Sequence, residues 1–125
     1  MPRFILAVLL LITAAGCAQP ADAPTTIETY LKTMVAKDRD AFVKTFCAAY
    51  EADALTEFDS FGAVEAALDG VDCQSSGTDG GATLVTCTGS INVTYQGEDN
   101  QVLALENTVY RAVQENGEWK MCGYE

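Results

Sequence analysis

Residues 26–42 read TIETYLKTMVAKDRDAF, and this stretch decides how the folded domain begins. Its apolar side chains recur with the period of an amphipathic α-helix, at Ile27, Tyr30, Leu31, Met34 and Val35. Thr25 or Thr26 can cap the start of this helix, because a hydroxyl oxygen there accepts a hydrogen bond from the first turn. The Asp-Arg-Asp segment at 38–40 interrupts the pattern and predicts the cap of a second helix. The apolar face of that helix comprises Ala41, Phe42, Thr45, Phe46 and Tyr50.

Toward the C-terminus, helical patterns give way to strand patterns. A third helix is predicted from about Asp59 to Leu68, closing at Gly70. Beyond it, apolar and polar residues alternate as they do in strands, with Gly89 as a predicted bulge or bend. One long strand is predicted over residues 101–114, and the dipeptide Asn116-Gly117 predicts a tight hairpin before a closing strand.

Helices that precede an antiparallel meander predict an α+β domain with its helices on one face of the sheet. The stretch 26–42 and the ending ENGEWKMC (residues 115–122) resemble, in their order, the cystatin-like-roll lipoproteins of bacterial envelopes, which belong to the nuclear-transport-factor-2-like superfamily. The resemblance covers about residues 26–125 and implies a cone-like fold, with a curved sheet wrapped around a long helix. It implies no single activity, because this fold hosts enzymes, binders and scaffolds.

The N-terminal segment has the order of a signal peptide. A short positive start, Met1-Pro2-Arg3, precedes an uninterrupted apolar run over residues 4–12. The run trails into Thr13-Ala14-Ala15, and a helix of about twelve residues would span roughly 18 Å, well short of the ~30 Å hydrocarbon core of a membrane. Residues 1–16 are therefore predicted to be an export leader rather than a transmembrane helix.

The residues Ala14-Ala15-Gly16-Cys17 resemble the lipobox of bacterial lipoproteins. In that family the cysteine thiol receives a diacylglyceryl group, and cleavage before the cysteine makes it the first mature residue. Ala14 stands where the family prefers leucine, and ordinary secretory cleavage after these small residues is the alternative. The resemblance implies a lipid on Cys17, a linker over residues 17–25, and a location on the extracytoplasmic side of a bacterial membrane. Since Ala18 rather than aspartate follows Cys17, it implies the outer membrane in a cell that has two.

Four of the five cysteines remain if Cys17 carries lipid. An even number in an exported domain predicts two disulfides, for which three connectivities exist. Cys73 and Cys87 are nearly equidistant from Gly80, which favours their pairing across a hairpin and leaves Cys47, on a helix, to pair with Cys122. Pairing of Cys87 with Cys122 is disfavoured in a simple meander, because an intervening strand would separate them. A zinc site is disfavoured because the chain has no histidine and no closely spaced cysteine pair.

The formal net charge of -11 excludes some partners. Nucleic acid and anionic membrane surfaces are bound through clustered Lys and Arg, which this chain lacks. A solvated acidic surface or a basic protein partner fits this balance better.

The candidates for catalysis are few, because any acid–base group must be a carboxylate. Enzymes of the resembled superfamily place an Asp or His with Tyr partners inside the cone. Asp59 lies between Phe58 and Phe61, so apolar surroundings can raise its pKa, and Tyr30 and Tyr50 can donate hydrogen bonds to it. The alternatives are a helix cap for Asp59 and core packing for the tyrosines.

The sequence therefore predicts a non-catalytic binding module without cofactor or metal, with a carboxylate-dependent isomerase or dehydratase as the alternative function. The partner is either a small apolar ligand or a basic protein. The first is favoured if small side chains leave a cavity near the helices, at Ala48, Ala49, Ala52, Ala54, Ala66 and Ala67.

Overall fold

A computed structural model of the chain describes residues 22–98 and 100–125. The predicted leader 1–16, the lipid acceptor Cys17 and the linker up to residue 21 lie outside the described residues. Within the described ranges, no helix is long and apolar enough to cross a membrane.

Helix α1 spans Ala23–Val35 and begins earlier than the sequence pattern indicated. Its cap is Asp22, whose carboxylate accepts the backbone N–H of Thr25 at 2.9 Å, so the capping role predicted for Thr25 or Thr26 is wrong. Aspartate serves this position well, and proline is tolerated in a first turn, where Pro24 lies. Residues 23–25 therefore belong to the helix rather than to the predicted linker 17–25.

Helix α2 is a single turn, Arg39–Phe42, capped by Asp38 as predicted. Its predicted continuation through Tyr50 is wrong, because the chain turns at residues 43–45 and Phe46 then pairs with Met121 of the last strand. The N–H of Met121 donates to the carbonyl of Thr45 at 2.7 Å, and the N–H of Cys47 donates to the carbonyl of Met121 at 2.8 Å. These bonds satisfy backbone groups at the edge of the sheet, which a helix could not do.

Helix α3 spans Glu51–Ser60, after a short 3-10 turn at Ala48–Tyr50. The predicted helix over 59–68 is therefore wrong. Residues 65–68 lie instead in the first strand, where they pair with residues 91–94. Their side chains are alternately exposed and partly buried, as a strand requires. Tertiary pairing thus overrides the helical propensity of the Glu-Ala-Ala-Leu sequence.

The five strands form one open antiparallel sheet. They are β1 (Glu65–Asp79), β2 (Ala82–Thr94), β3 (Gln101–Ala104), β4 (Val109–Glu115) and β5 (Glu118–Tyr124). The order is β1-β2-β4-β5, and β3 pairs with the far end of β2. The strand predicted over 101–114 is thus two strands, separated where the N–H of Leu105 turns inward to the carbonyl of Gly89. The predicted α+β class is confirmed.

The core lies between α1 and the sheet, because α1 packs against β1, β2, β4 and β5. Ile27, Leu31 and Met34 of the helix are buried together with Val85 and Met121 of the strands. The ring of Phe42 closes one end of this core, with its centroid 4.8 Å from that of Tyr30 and 4.7 Å from that of Phe58. The single turn of α2 is therefore anchored by one aromatic residue in contact with both longer helices.

Candidate functional site: a carboxylate held by three tyrosines beside a cleft

The side chain of Glu57 on α3 is the meeting point of three phenols. Tyr30 of α1 donates to its Oε2 atom at 2.7 Å, and Tyr50 donates to the same atom at 3.3 Å. Tyr124, from the end of β5, donates to Oε1. These four residues, the tyrosine–carboxylate cluster, join three elements that are far apart in the sequence.

Local structure explains how each member of the cluster is placed. Tyr30 lies on the buried face of α1 and is fully buried. Tyr50 immediately precedes α3 and lies seven residues, about two helical turns, before Glu57, so its side chain can reach the side of α3 that carries Glu57. The ring of Tyr124 lies edge-on to that of Tyr50, with centroids 6.1 Å apart. Half-buried Glu57 thus has phenols on several sides.

The tyrosines near Glu57 are held in their neutral form. Burial, followed by the negative charge of Glu57, raises the pKa of Tyr50 and of Tyr110 to about 12. The same two causes, in the same order, raise the pKa of Tyr30 and of Tyr124 well above its usual range. Each cause disfavours a phenolate. At neutral pH these hydroxyls therefore remain hydrogen-bond donors.

An open cleft of about 530 Å³ lies beside the cluster. Its walls come from the second half of α1, from β3 and from the turn between β3 and β4. Most lining side chains are apolar or aromatic, and they include Leu31, Met34, Phe61, Ile91, Leu103, Leu105, Tyr110 and Tyr124. The polar groups are few, chiefly Glu57, Asn107, Thr108 and Glu125. Small-molecule sites usually combine apolar side chains with a small number of polar groups, and the accessible surface of this cleft is divided almost equally between polar and apolar atoms.

Of the three residues proposed from the sequence for catalysis, two belong to this site and one does not. Tyr30 and Tyr50 do donate hydrogen bonds to a carboxylate, but that carboxylate is not Asp59. The side chain of Asp59 is 70% exposed and lies 3.5 Å from the guanidinium of Arg39. It stands in the last turn of α3, so it is neither a buried base nor a helix N-cap.

The predicted origin of the cavity is also wrong. None of the six alanines proposed to leave a cavity lines the cleft, and Ala54 is fully buried in the core. Part of the cleft's lining comes instead from the turn between β3 and β4, at Leu105, Asn107 and Thr108.

Sequence reasoning missed Glu57 itself. A signal was present in its seven-residue spacing from Tyr50, which places the two side chains on one helical face once a helix over 51–60 is assigned. Because the third helix was predicted to start at Asp59, Glu57 fell outside every predicted element.

Both disulfides have the pairing that the sequence favoured. Cys73 bonds to Cys87, and Cys47 bonds to Cys122. Cys47, predicted to lie on a helix, has extended backbone beside β5 instead. Its disulfide therefore joins residues 45–47, which pair with the edge of the sheet, to β5. Among the described residues, no three acidic or cysteine side chains are grouped closely enough to hold a metal ion.

A second open depression, of about 570 Å³, lies on the other half of α1. Thr26, Thr29 and Trp119 contribute to its lining, together with Lys44 and Lys120. The ammonium of Lys120 already donates to the carbonyl of Lys44 at 2.5 Å and lies 3.1 Å from the carboxylate of Glu118. Its charge is therefore engaged by the protein's own groups.

The α+β domain and its cleft must be interpreted from the chain's own residues. Comparison with protein-family models, with curated proteins and with solved structures finds no match for this chain.

Proposed function

We propose that the chain is an envelope lipoprotein whose domain is a non-catalytic module for binding a small, largely apolar molecule. The observation that carries this proposal is the cleft beside Glu57. Its volume of about 530 Å³ falls within the range of small-molecule sites. Its walls offer apolar contact, and its polar groups can fix the orientation of a ligand.

We also propose that the α+β domain has the nuclear-transport-factor-2-like fold. A long helix packed across an open antiparallel sheet is the arrangement on which a nuclear-transport-factor-2-like cone is built. In such a cone the space between helix and sheet is where ligands bind. The position of the cleft, between α1, α3 and the β3–β4 turn, supports this assignment.

The tether supports the same function. If Cys17 carries lipid, only residues 18–22 separate it from the first residue of α1. That distance is at most about 20 Å for an extended chain. The cleft borders the second half of α1, at Leu31 and Met34, whereas the anchor joins the first. The anchor would therefore join the domain at the end of α1 that lies away from the cleft.

Binding is tested by titrating the purified protein with a neutral fluorescent probe, N-phenyl-1-naphthylamine. The protein carries Cys17→Ser, so that neither lipid nor detergent competes for the probe. We expect saturable binding that Ala104→Trp weakens by about tenfold, because the new ring fills the cleft. Ala67→Trp is the matched control, since Ala67 is also an exposed alanine on a strand but does not line the cleft. Lack of saturation, or equal weakening by both variants, would reject the proposal.

The anchor is tested separately by detergent-phase partitioning of the protein made in a bacterial host. We expect the wild-type protein in the detergent phase and Cys17→Ser in the aqueous phase. Equal partitioning of the two would exclude a lipid on Cys17.

A second candidate is acid–base catalysis with Glu57, rather than Asp59, as the base. It is favoured by one observation, a carboxylate at an apolar cleft with phenols around it. Three phenols already occupy its oxygens, however, and a carboxylate offers about four acceptor positions. Binding is therefore the better-supported function. Solvent deuterium entering an apolar ketone bound in the cleft, and its loss in Glu57→Gln, would instead establish catalysis.

A further inference from the structure

The carboxylate of Glu57 is half-buried without a cationic partner. Within the described ranges, the ion pairs of 4.0 Å or less involve other acids, namely Glu28, Asp59, Asp79, Glu118 and Glu125. Three phenols hydrogen-bond to Glu57, but they carry no charge to balance its own. A partly buried charge is costly unless an opposite charge compensates it.

The cleft offers no cation of its own. None of its described lining residues is a lysine or an arginine. Its other carboxylate, that of Glu125, lies 2.6 Å from the guanidinium of Arg111, which it shares with Asp79. Among the described lining residues, Glu57 is therefore the one side-chain carboxylate without a cation within 4.0 Å.

The aromatic rings beside Glu57 add to this preference. The rings of Tyr110 and Tyr124 lie 5.2 Å apart at an angle of 48°, and both line the cleft. The faces of such rings attract ammonium groups. The raised pKa of both tyrosines, caused first by burial, keeps these rings neutral.

The charged residues around the cleft are also predominantly acidic in sequence. Between Thr45 and Tyr110 the sequence contains no lysine or arginine, while acidic residues recur throughout. Apart from Leu31 and Met34 of α1 and the last two residues, all the residues that line the cleft lie within residues 45–110. A surface of one sign raises the local concentration of oppositely charged ligands.

We infer that the cleft takes a small organic cation, with its ammonium group against Glu57 and the two rings, and its apolar body along Leu31 and Leu103. This inference rests on the proposed function and names the chemical class of its ligand. One acceptor position on Oε1 remains for the ammonium, since Oε2 receives two of the three phenols and Oε1 only one.

The test uses three probes that share an apolar body and differ only in charge: 4-butylbenzylamine, 4-butylbenzyl alcohol and 4-butylbenzoate. Each displaces N-phenyl-1-naphthylamine from the Cys17→Ser protein. We expect the amine to bind about tenfold or more tightly than the alcohol, and the benzoate to bind most weakly. Added salt should weaken binding of the amine and leave binding of the alcohol nearly unchanged.

Two variants localise the preference. Glu57→Gln should remove the advantage of the amine while retaining binding of the alcohol. Glu65→Gln, which makes the same change in net charge at an exposed site on β1, should retain that advantage. Tyr124→Leu should reduce binding of the amine more than binding of the alcohol, and it decides the matter if Glu57→Gln fails to fold.

The outcomes separate the two proposals. If no probe binds, the proposed function fails. If all three bind equally, or if Glu65→Gln acts as strongly as Glu57→Gln, the cation inference is wrong while the binding function stands.

Discussion

The phenol of Tyr30 donates a 2.7 Å hydrogen bond to the Oε2 atom of Glu57, and so joins α1 to α3 across 27 positions of the chain. Two further phenols converge on the same carboxylate. The cluster that borders the cleft is therefore also a structural joint between the helices and the last strand.

Replacing Tyr30 by phenylalanine tests this joint. Only the hydroxyl is lost, so packing is retained. The Oε2 atom of Glu57 loses the shorter of its two hydrogen bonds, and that bond has a charged acceptor. We expect the free energy of unfolding to fall by about 2 kcal/mol, measured by urea denaturation. Tyr95→Phe is the control, because Tyr95 is 47% exposed and its change should stay within about 0.5 kcal/mol. If both variants unfold at the same urea concentration, the bond contributes nothing.

Alkaline pH should destabilise the folded protein by ionising the tyrosines near Glu57. In the unfolded chain a tyrosine ionises near pH 10, whereas in the folded protein Tyr50 and Tyr110 do so only near pH 12. A raised folded-state pKa gives stability that is complete below pH 10 and lost as pH rises through the folded value. We expect the free energy of unfolding to decline from pH 10 upward.

Phenolate absorbance in the near ultraviolet checks this expectation. Native protein should ionise its tyrosines at higher pH than the protein in urea. Glu57→Gln should lower that pH in part, because burial remains while the negative charge that also raises each pKa is gone. Superimposable titration curves for native and urea-unfolded protein would contradict the cluster.

The sequence predicts those parts of the fold that depend on short-range chemistry. The period of Ile27, Tyr30 and Leu31 indicates α1, and Asp38 indicates the start of α2. Asn116-Gly117 marks the β4–β5 turn, where both residues have positive φ, as that turn type requires. Each of these signals acts within a few residues, so no tertiary information is needed to interpret it.

The parts that the sequence does not predict depend on distant partners. Residues 65–68 favour a helix locally, but pair with residues 91–94 in the sheet. Glu57 becomes a site residue only because three separate elements bring phenols to it. The cleft likewise combines side chains from α1, α3 and the turn between β3 and β4. None of these relationships is encoded in a local period.

The register of the β1–β2 hairpin shows both cases at once. A two-residue turn at Gly80-Gly81 places Asp79 opposite Ala82. Continued without interruption, that register would set Cys73 opposite Thr88. A bulge at Ser76 shifts it by one residue and brings Cys73 opposite Cys87. Symmetry about the turn predicted the pair, whereas the bulge that makes it possible was not predicted.

Gly89 should not tolerate a side chain. It lies at the predicted bulge, where Gly70 and Val71 face it across the β1–β2 pair, with φ of +95°. A Cβ atom there would lie 2.5 Å from the carbonyl oxygen of Gly70. We expect Gly89→Ala to lower the free energy of unfolding by about 3 kcal/mol or more, since it adds a backbone clash to an unfavourable dihedral angle.

Gly117→Ala separates the two causes. Gly117 also has positive φ, of +80°, but no atom would lie within 4 Å of its Cβ. Its loss should be about 1–2 kcal/mol, the dihedral cost alone. Equal losses at the two positions would show that the close approach of Gly70 to Gly89 has no energetic consequence.

The two disulfides should contribute unequally to stability. Cys47–Cys122 closes a loop with a sequence separation of 75, whereas Cys73–Cys87 closes one of 14. In the chain-entropy model the longer loop stabilises by about 4.5 kcal/mol and the shorter by about 3 kcal/mol. We expect the double variant Cys47→Ala/Cys122→Ala to unfold at a lower urea concentration than Cys73→Ala/Cys87→Ala. The longer bond also holds residues 45–47 against the edge of β5, so its loss should speed hydrogen exchange at the amide of Met121. The reverse order of stability, with hydrogen exchange at Met121 unchanged, would show that residues 45–47 stay in place without the Cys47–Cys122 disulfide.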